Sequence, residues 1–256
     1  MFTDSHSHIQ FARQFPDIEA IISRAEDAGV DRQVIVGCTP KDSRLAVDFI
    51  KKHGDKKFWA TLGVHPHNAN LLTDEVLASF RDLAKKENKI VAIGETGLDY
   101  FRNFQPKEIQ IRAFRLQLRL ARELDLPAVI HVRDAWNEAI KILDEEGNKK
   151  VILHCFSGNF TQAQACWEKG YHIAFNGTLT YPKNDSLSDI AIAVPDNRIL
   201  IETDCPYLTP QLYRGKRNEP AYVVETAKTL AEVRGVSLIE IARQTTDNAV
   251  RIFGLK

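Results

Sequence analysis

Eight short apolar runs rich in β-branched residues recur along the chain, and helical patterns separate them. Such runs predict strands, whereas apolar residues at intervals of three and four predict amphipathic helices. The predicted strands cover residues 1–8, 33–38, 58–65, 90–96, 128–132, 151–156, 172–176 and 199–204. The predicted helices cover residues 17–28, 41–53, 73–87, 107–124, 135–145, 161–169, 186–193, 221–234 and 238–253.

This alternation limits the fold class. A connection that contains a helix joins parallel strands, because it returns the chain to the same edge of the sheet. Eight such units in 256 residues, without a linker or a change in composition, predict a single α/β domain over residues 1–256, a (β/α)8 TIM barrel. An open doubly wound sheet is the alternative, but no Gly-x-Gly-x-x-Gly fingerprint follows any predicted strand.

Charge and cysteine content limit the function classes. The 34 acidic and 34 basic side chains balance, which argues against a protein that coats duplex nucleic acid but allows a local basic patch. The four cysteines include no Cys-x-x-Cys pair, which predicts free thiols in a reducing compartment. There is no basic and apolar leader and no run of about 18 apolar residues, so we expect a cytoplasmic protein without a membrane partner.

Metal-competent side chains lie at the carboxyl ends of most predicted strands, where a TIM barrel carries its active site. On the first strand, His6 and His8 share one face about 6.6 Å apart, because side chains alternate along a strand. Histidine is unfavourable in a buried strand unless another group satisfies it. A two-metal hydrolytic site needs about six nitrogen and oxygen ligands from different directions. The candidates at these strand ends are His6, His8, His65, His67, Glu95, His131, His154 and Asp204.

The remaining histidines and two of the cysteines are interpreted as structural. His53 ends a predicted helix and His172 begins a predicted strand, so both lie at the opposite end of the barrel. Cys155 and Cys205 each follow a candidate ligand directly, and alternation along a strand points them away from the ligands. We expect these four residues to pack rather than to bind.

Five segments resemble the motifs of the TatD family of metal-dependent deoxyribonucleases, within the amidohydrolase-like superfamily. They are DSHSH at 4–8, GETGLDY at 94–100, LPAVIHVR at 126–133, HCFSG at 154–158 and ETDCPYL at 202–208, and RGKRNEP at 214–220 also matches. The segments occur in the family's order and span nearly the whole chain. The resemblance therefore implies a divalent-metal hydrolase.

The resemblance also implies two metal ions and the residues that hold them. One ion would bind His6, His8 and Asp204, the other would bind His131 and His154, and Glu95 would bridge the two. Bridging requires a carboxylate because it has two oxygens. Imidazole and carboxylate ligands suit zinc or manganese, whereas the family implies that magnesium supports activity.

The expected mechanism follows from the ions. A divalent ion lowers the pKa of bound water from about 15.7 toward 7, which gives a nucleophile at neutral pH. Either Asp204 or Glu95 would accept the proton of that water. His65 and Arg133 would contact the substrate phosphate.

A basic loop follows the last predicted strand. Arginine suits phosphate oxygens because its guanidinium is planar, so we interpret Arg214, Arg217 and Asn218 as substrate contacts. Aromatic candidates for stacking on bases near the mouth are Tyr100, Phe101, Tyr207 and Tyr213. A stripe on the helix after strand four is interpreted as a solvent-exposed face; it consists of Arg112, Arg115, Arg119 and Arg122.

The sequence thus predicts a monomeric hydrolase of DNA phosphodiester bonds, and the resemblance implies a 3′-to-5′ exonuclease acting on single-stranded 3′ ends. Hydrolysis of an amide, lactone or aminoacyl ester is an alternative, because activated water attacks a carbonyl carbon equally well. A polymerase-and-histidinol-phosphatase barrel is another: His65 and His67 fit it, but no histidine lies two residues after Asp204. The non-enzymatic alternative is a barrel that binds metal or nucleic acid without catalysis.

Replacing both His6 and His8 by alanine is expected to remove one of two ions per chain, because both imidazoles serve the same ion. Elemental analysis of the purified protein measures this content. The matched control is His53→Ala, which should keep the wild-type content. Two ions retained in the double variant would contradict the assignment.

Overall fold

The computed structural model of the protein describes residues 1–256, and its eight strands are parallel and adjacent in chain order. The strands are β1 (Phe2–Ser7), β2 (Val30–Ile35), β3 (Lys57–Leu62), β4 (Ile90–Asp99), β5 (Ala128–Arg133), β6 (Val151–Leu153), β7 (His172–Phe175) and β8 (Ile199–Ile201). The helices are α1 (Ile18–Asp27), α2 (Pro40–Lys52), α3 (Asp74–Lys86), α4 (Lys107–Glu123), α5 (Trp136–Glu146), α6 (Phe160–Glu168), α7 (Asp185–Ala193), α8 (Val223–Arg234) and α9 (Leu238–Phe253).

The (β/α)8 barrel is confirmed, and the open sheet is wrong, because the two ends of the sheet meet. Ser7 at the end of β1 forms a parallel bridge with Cys205 after β8. In addition, the Ser5 hydroxyl donates to the carbonyl oxygen of Ile201 at 3.0 Å. An open doubly wound sheet leaves its edge strands apart, so these contacts distinguish the two folds.

Two strands end three residues earlier than predicted. Strand β6 ends at Leu153 and β8 at Ile201, and the chain then turns. Cys155 and Asp204 have φ angles of 46° and 56°, which lie in the left-handed region and cannot continue a strand. Several candidate ligands therefore lie on the loops just after the strands, which places them at the barrel mouth.

The barrel interior beneath the mouth is apolar. Val129 and Ile152 lie two residues before His131 and His154, so alternation places them on the same side of their strands. Both belong to a buried cluster that also includes Phe253 at the end of α9. A larger buried cluster packs the helices against the outer side of the sheet. The polar site thus lies on a rigid apolar floor.

The arginine stripe of α4 faces solvent as predicted, because Arg112, Arg119 and Arg122 are exposed and Arg115 is partly exposed, but it also makes ion pairs. Arg115 and Arg119 form ion pairs with Glu146 of α5 at 3.0 and 2.9 Å. Arg122 donates to the Glu146 carbonyl oxygen. These contacts join neighbouring helices on the outside of the barrel, far from its mouth. None of the helices combines the length and apolar character that a membrane span requires.

A buried carboxylate connects β1 to the chain after β8. Asp4 is fully buried, and its oxygens accept hydrogen bonds from the Thr203 hydroxyl at 2.6 Å and the Thr203 backbone N–H at 2.9 Å. Burial raises the pKa of Asp4 to about 7, although the bonds from Thr203 oppose this shift. Beside this contact, the Asp204 N–H donates to the carbonyl oxygen of His6 at 2.9 Å. The closure therefore brings His6 next to Asp204.

Replacing Thr203 by valine is expected to lower the free energy of unfolding by about 1–3 kcal/mol at pH 8, because it leaves a buried Asp4 oxygen without its hydroxyl donor. Urea unfolding in the presence of a chelator measures this without a contribution from metal binding. Thr161→Val, on the exposed surface of α6, is the control and should change little. Equal stabilities of the two variants would contradict the role given to Thr203.

Candidate active site

Glu95 lies at the centre of a polar cluster at the barrel mouth. Its Oε1 lies 2.8 Å from Nε2 of His154 and 3.2 Å from Nδ1 of His131. Its Oε2 lies 3.4 Å from Nε2 of His6. Burial raises the pKa of Glu95, but His154 and His65 lower it more, so the pKa is well below its usual range. Glu95 is therefore an ionised carboxylate whose two oxygens face different histidines.

The first set of side chains comes from β1 and the loop after β8. Asp204 Oδ1 lies 3.3 Å from Nε2 of His8 and 3.7 Å from Nε2 of His6. The Nδ1 of His8 lies 3.0 Å from the Val36 carbonyl oxygen, which can only accept, so the proton belongs on Nδ1 and the Nε2 lone pair faces the site. Neither ring nitrogen of the fully buried His6 has a hydrogen-bond partner. Such an imidazole is costly to bury unless an ion takes its lone pair.

The second set comes from the ends of β5 and β6. Nδ1 of His131 and Nε2 of His154 lie 3.4 Å apart. On their outer sides, Asp99 Oδ2 lies 3.3 Å from Nε2 of His131, and Glu202 Oε1 lies 3.4 Å from Nδ1 of His154. Burial lowers the pKa of His154, but Glu95 and Glu202 raise it well above its usual range. The carboxylates therefore favour a positive charge at this position.

These two sets fit divalent ions. The donor atoms of several groups of three residues lie within 4.8 Å of one another. Imidazole nitrogens and carboxylate oxygens are the donors that zinc and manganese bind. The groups are His6 with His8 and Asp204, His6 with Glu95 and His154, His65 with Glu95 and His131, and His8 with Cys38 and Glu95. The structure thus brings all six residues predicted as ligands into one cluster.

His65 presents a donor to the site. Its Nδ1 accepts a hydrogen bond from the His67 N–H at 3.1 Å, so in the neutral ring the proton lies on Nε2, 3.2 Å from Glu95 Oε1. Burial lowers the pKa of His65 to about 4, which keeps the ring neutral. The side chain of His67 instead contacts Asp99 at 2.7 Å, and none of the four ligand groups contains it. This arrangement disfavours the phosphatase-type alternative, which relied on both histidines.

Two of the residues predicted to contact substrate, Arg133 and Arg214, have guanidinium groups that stack on aromatic rings near the mouth. Arg133, at the end of β5, lies 3.8 Å from the ring centroid of Phe101. Arg214 is exposed, lies 4.4 Å from the ring centroid of Tyr181 and donates to its hydroxyl at 2.6 Å. Stacking of this kind orders an arginine while leaving other N–H groups free.

The other two predicted substrate contacts are placed differently. Arg217 forms an ion pair with Asp17 at 2.8 Å. Asn218 is fully buried, and its amide donates to the carbonyl oxygens of Thr203 at 2.9 Å and Tyr207 at 2.5 Å, while its Oδ1 accepts a neighbouring backbone N–H. The structure therefore does not offer Asn218 to a substrate. Asn218 instead holds the basic loop in place through these hydrogen bonds.

The four residues interpreted as structural differ in how deeply they are buried. His53 and His172 are buried at the end of α2 and the start of β7, and Cys205 is buried in the core. Cys155 is partly exposed at a left-handed turn, and the packing role predicted for it stays a prediction. The left-handed turn removes the strand alternation on which that prediction depended, and the Cys155 N–H donates to Glu202 at 2.6 Å.

Three residues outside the predicted set also contact the cluster. Asp99 and Glu202 lie beside the outer nitrogens of His131 and His154, and they belong to the same motifs as predicted ligands, which is the signal that points to them. Cys38 Sγ lies 3.4 Å from Glu95 Oε2 and 3.9 Å from His8 Nδ1. Burial and the charge of Glu95 raise the pKa of the Cys38 thiol well above its usual value. Its position at the end of the second predicted strand was its only sequence signal.

Comparison with known proteins assigns the family. The family model for TatD related DNase matches residues 3–254. The chain belongs to the TatD family. YabD of Bacillus subtilis, an uncharacterized metal-dependent hydrolase, is 40% identical over 255 residues, which cover 99% of each chain. The 3′-5′ ssDNA/RNA exonuclease TatD of Erwinia tasmaniensis is 38% identical over 253 residues, which cover 96% of each chain.

Solved structures agree with this assignment. The crystal structure of YjjV, a TatD homolog from Escherichia coli K12, superposes with a TM-score of 0.93 at 28% identity and covers 100% of this chain and 98% of that one. A TatD family hydrolase from Entamoeba histolytica gives a TM-score of 0.89 at 26% identity. As a TatD-family protein, the chain is a metal-dependent hydrolase of ester bonds, which confirms the family and the enzyme class predicted from the sequence.

In this TatD-family site, Glu202→Gln is expected to weaken the binding of one ion about 10- to 100-fold, because the amide removes the charge that holds Nδ1 of His154. Competition with a coloured chelator measures the affinity. Glu168→Gln, on the exposed face of α6, is the matched control. Unchanged affinity in a folded Glu202→Gln protein would show that this carboxylate does not support the metal site.

Proposed function

We propose that this TatD-family hydrolase cleaves phosphodiester bonds of nucleic acid and removes nucleotides from the 3′ ends of single-stranded DNA. The observation that carries the proposal is the position of Glu95, whose two oxygens face two different sets of imidazoles. A pair of ions about 3.5–4 Å apart stabilises both the attacking and the leaving oxygen of a phosphodiester. A bridging carboxylate is the natural centre of such a pair.

The ligands of the proposed ions are those that the sequence indicates. His6, His8 and Asp204 would hold the first ion, His131 and His154 would hold the second, and Glu95 would serve both. When bound, the ions polarise the phosphate and lower the pKa of a water molecule. The histidine-rich donor set favours zinc or manganese over magnesium.

Asp204 is the proposed proton acceptor. Its side chain is 13% exposed, whereas that of Glu95 is 5% exposed, so Asp204 can pass a proton to solvent more easily. Burial raises the pKa of Asp204, but His8 and His6 lower it further, so the carboxylate is ionised and able to accept. Its Oδ1 faces both histidines of the first set, which leaves Oδ2 for the proton.

The substrate strand is proposed to enter across the aromatic and basic side of the mouth. The neutral His65 donates its Nε2–H toward the phosphate, and Arg133 and Arg214 supply positive charge. Phe101 and Tyr207 are 56% and 53% exposed, and exposed aromatic rings beside such a site stack on unpaired bases. The exonuclease name of the Erwinia relative supports this substrate class, whereas YabD is named only as a metal-dependent hydrolase.

The proposal is tested on single-stranded oligonucleotides labelled at either end, with protein stripped of metal and reloaded with magnesium, manganese or zinc. A 3′ label should be released at once, and a 5′ label should yield a ladder of shortening products. Glu95→Gln should lower kcat at least about 100-fold, because it removes the bridging charge. His53→Ala, purified and reloaded with metal in the same way, is the control and should keep wild-type activity.

Two outcomes would contradict the proposal. One is the absence of nucleotide products with every metal, and the other is equal activity of Glu95→Gln and wild type. Amide, lactone and aminoacyl ester substrates are assayed in parallel. Turnover of one of these without nuclease activity would identify the rival hydrolase reaction.

A further inference from the structure

The thiol of Cys38 lies inside the ligand cluster. Cys38 follows β2, and its carbonyl oxygen accepts the His65 N–H at 2.9 Å, which ties this loop to the next one. Its Sγ is 3.4 Å from Oε2 of Glu95 and 3.9 Å from Nδ1 of His8. Two residues of the proposed first ion site therefore contact the sulfur.

A second observation points to a ligand at the same place. Oε2 of Glu95, which contacts the sulfur, is also the atom that faces Nε2 of His6 at 3.4 Å. His6 is fully buried, and neither of its ring nitrogens has a hydrogen-bond partner. A thiol and an unpartnered imidazole thus converge on one carboxylate oxygen.

We propose that Cys38 supplies a sulfur donor to the ion held by His6, His8 and Asp204, and that this donor makes the site prefer a thiophilic ion such as zinc, cobalt or cadmium over magnesium. The inference rests on the proposed two-ion site and adds to it the class of metal. Thiolate sulfur selects soft and borderline ions, whereas magnesium requires oxygen. The thiol proton passes to solvent as the sulfur–metal bond forms, so no oxidant or reductant is needed.

The distances suit this role. His8, Cys38 and Glu95 each offer a donor atom within 4.8 Å of the others. Sulfur at about 2.3 Å and oxygen at about 2.1 Å from one ion lie about 3.1–3.6 Å apart when the angle between them at the ion is about 90–110°. The 3.4 Å between Sγ and Glu95 Oε2 lies within that range. The competing interpretation is a thiol that only donates a hydrogen bond to Glu95, and the experiment separates the two.

Cobalt binding gives a readout that does not depend on activity. Metal-free full-length protein is titrated with cobalt(II), and the near-ultraviolet thiolate-to-cobalt charge-transfer band is recorded. Wild type should develop the band, and Cys38→Ser should lack it while still binding cobalt through its imidazoles. Cys155→Ser is the matched control, because this second cysteine also lies at the mouth, and it should keep the band.

Two results would overturn the role proposed for Cys38: no band in wild type, or an undiminished band in Cys38→Ser. Competition of zinc with magnesium gives a second measurement, in which Cys38→Ser and Cys38→Ala should lose about 10- to 100-fold in zinc affinity with magnesium affinity nearly unchanged. An equal loss for both ions would show a structural role instead. The cobalt titration contains no substrate. A negative result there would overturn the role of Cys38, whereas a negative nuclease assay would overturn the proposed reaction.

Discussion

Closure of the barrel between its first strand and the chain after its last is the constraint on which the site depends. Asp4 and Thr203 are joined by two hydrogen bonds in a fully buried position, and Asp204 bonds to the backbone of His6 beside them. A buried carboxylate is costly unless its oxygens have partners, so the contact specifies one register between the two ends of the sheet. That register sets His6 and His8 against Asp204, although about 200 residues separate them in the sequence.

The electrostatics of the mouth follow from what this closure encloses. Ionised Glu95 contacts imidazoles on several sides, and Asp99 and Glu202 lie on the outer sides of His131 and His154. A chain with equal numbers of acidic and basic residues therefore concentrates several carboxylates at one point. Carboxylates gathered in this way favour a bound cation, and a cation bound there would also attract the anionic substrate proposed above.

Much of this could be predicted from local patterns. Alternation of strand and helix predicts a parallel barrel, and the barrel predicts that strand ends meet, so His131, His154 and Glu95 could be grouped without coordinates. Local patterns say less where the backbone leaves the regular geometry. Cys155 adopts a positive φ, so the rule that successive side chains point to opposite faces no longer held. Asn218 lies in a basic loop, yet its amide is used by buried carbonyl groups that a sequence pattern does not reveal.

The sequence by itself determined the fold class, because this depends on periodicity, and its strand ends supplied eight candidate ligands. The choice of six among them came from the resemblance of its motifs to the TatD family. Only the tertiary structure decided which atoms face one another. Contacts with Val36 and Asp99 set which ring nitrogen of His8 and of His131 faces away from the site. Cys38 joins the cluster through Glu95, 57 residues away. These contacts are non-local, and hydrogen-bond partners far apart in the chain become fixed only when the barrel has closed.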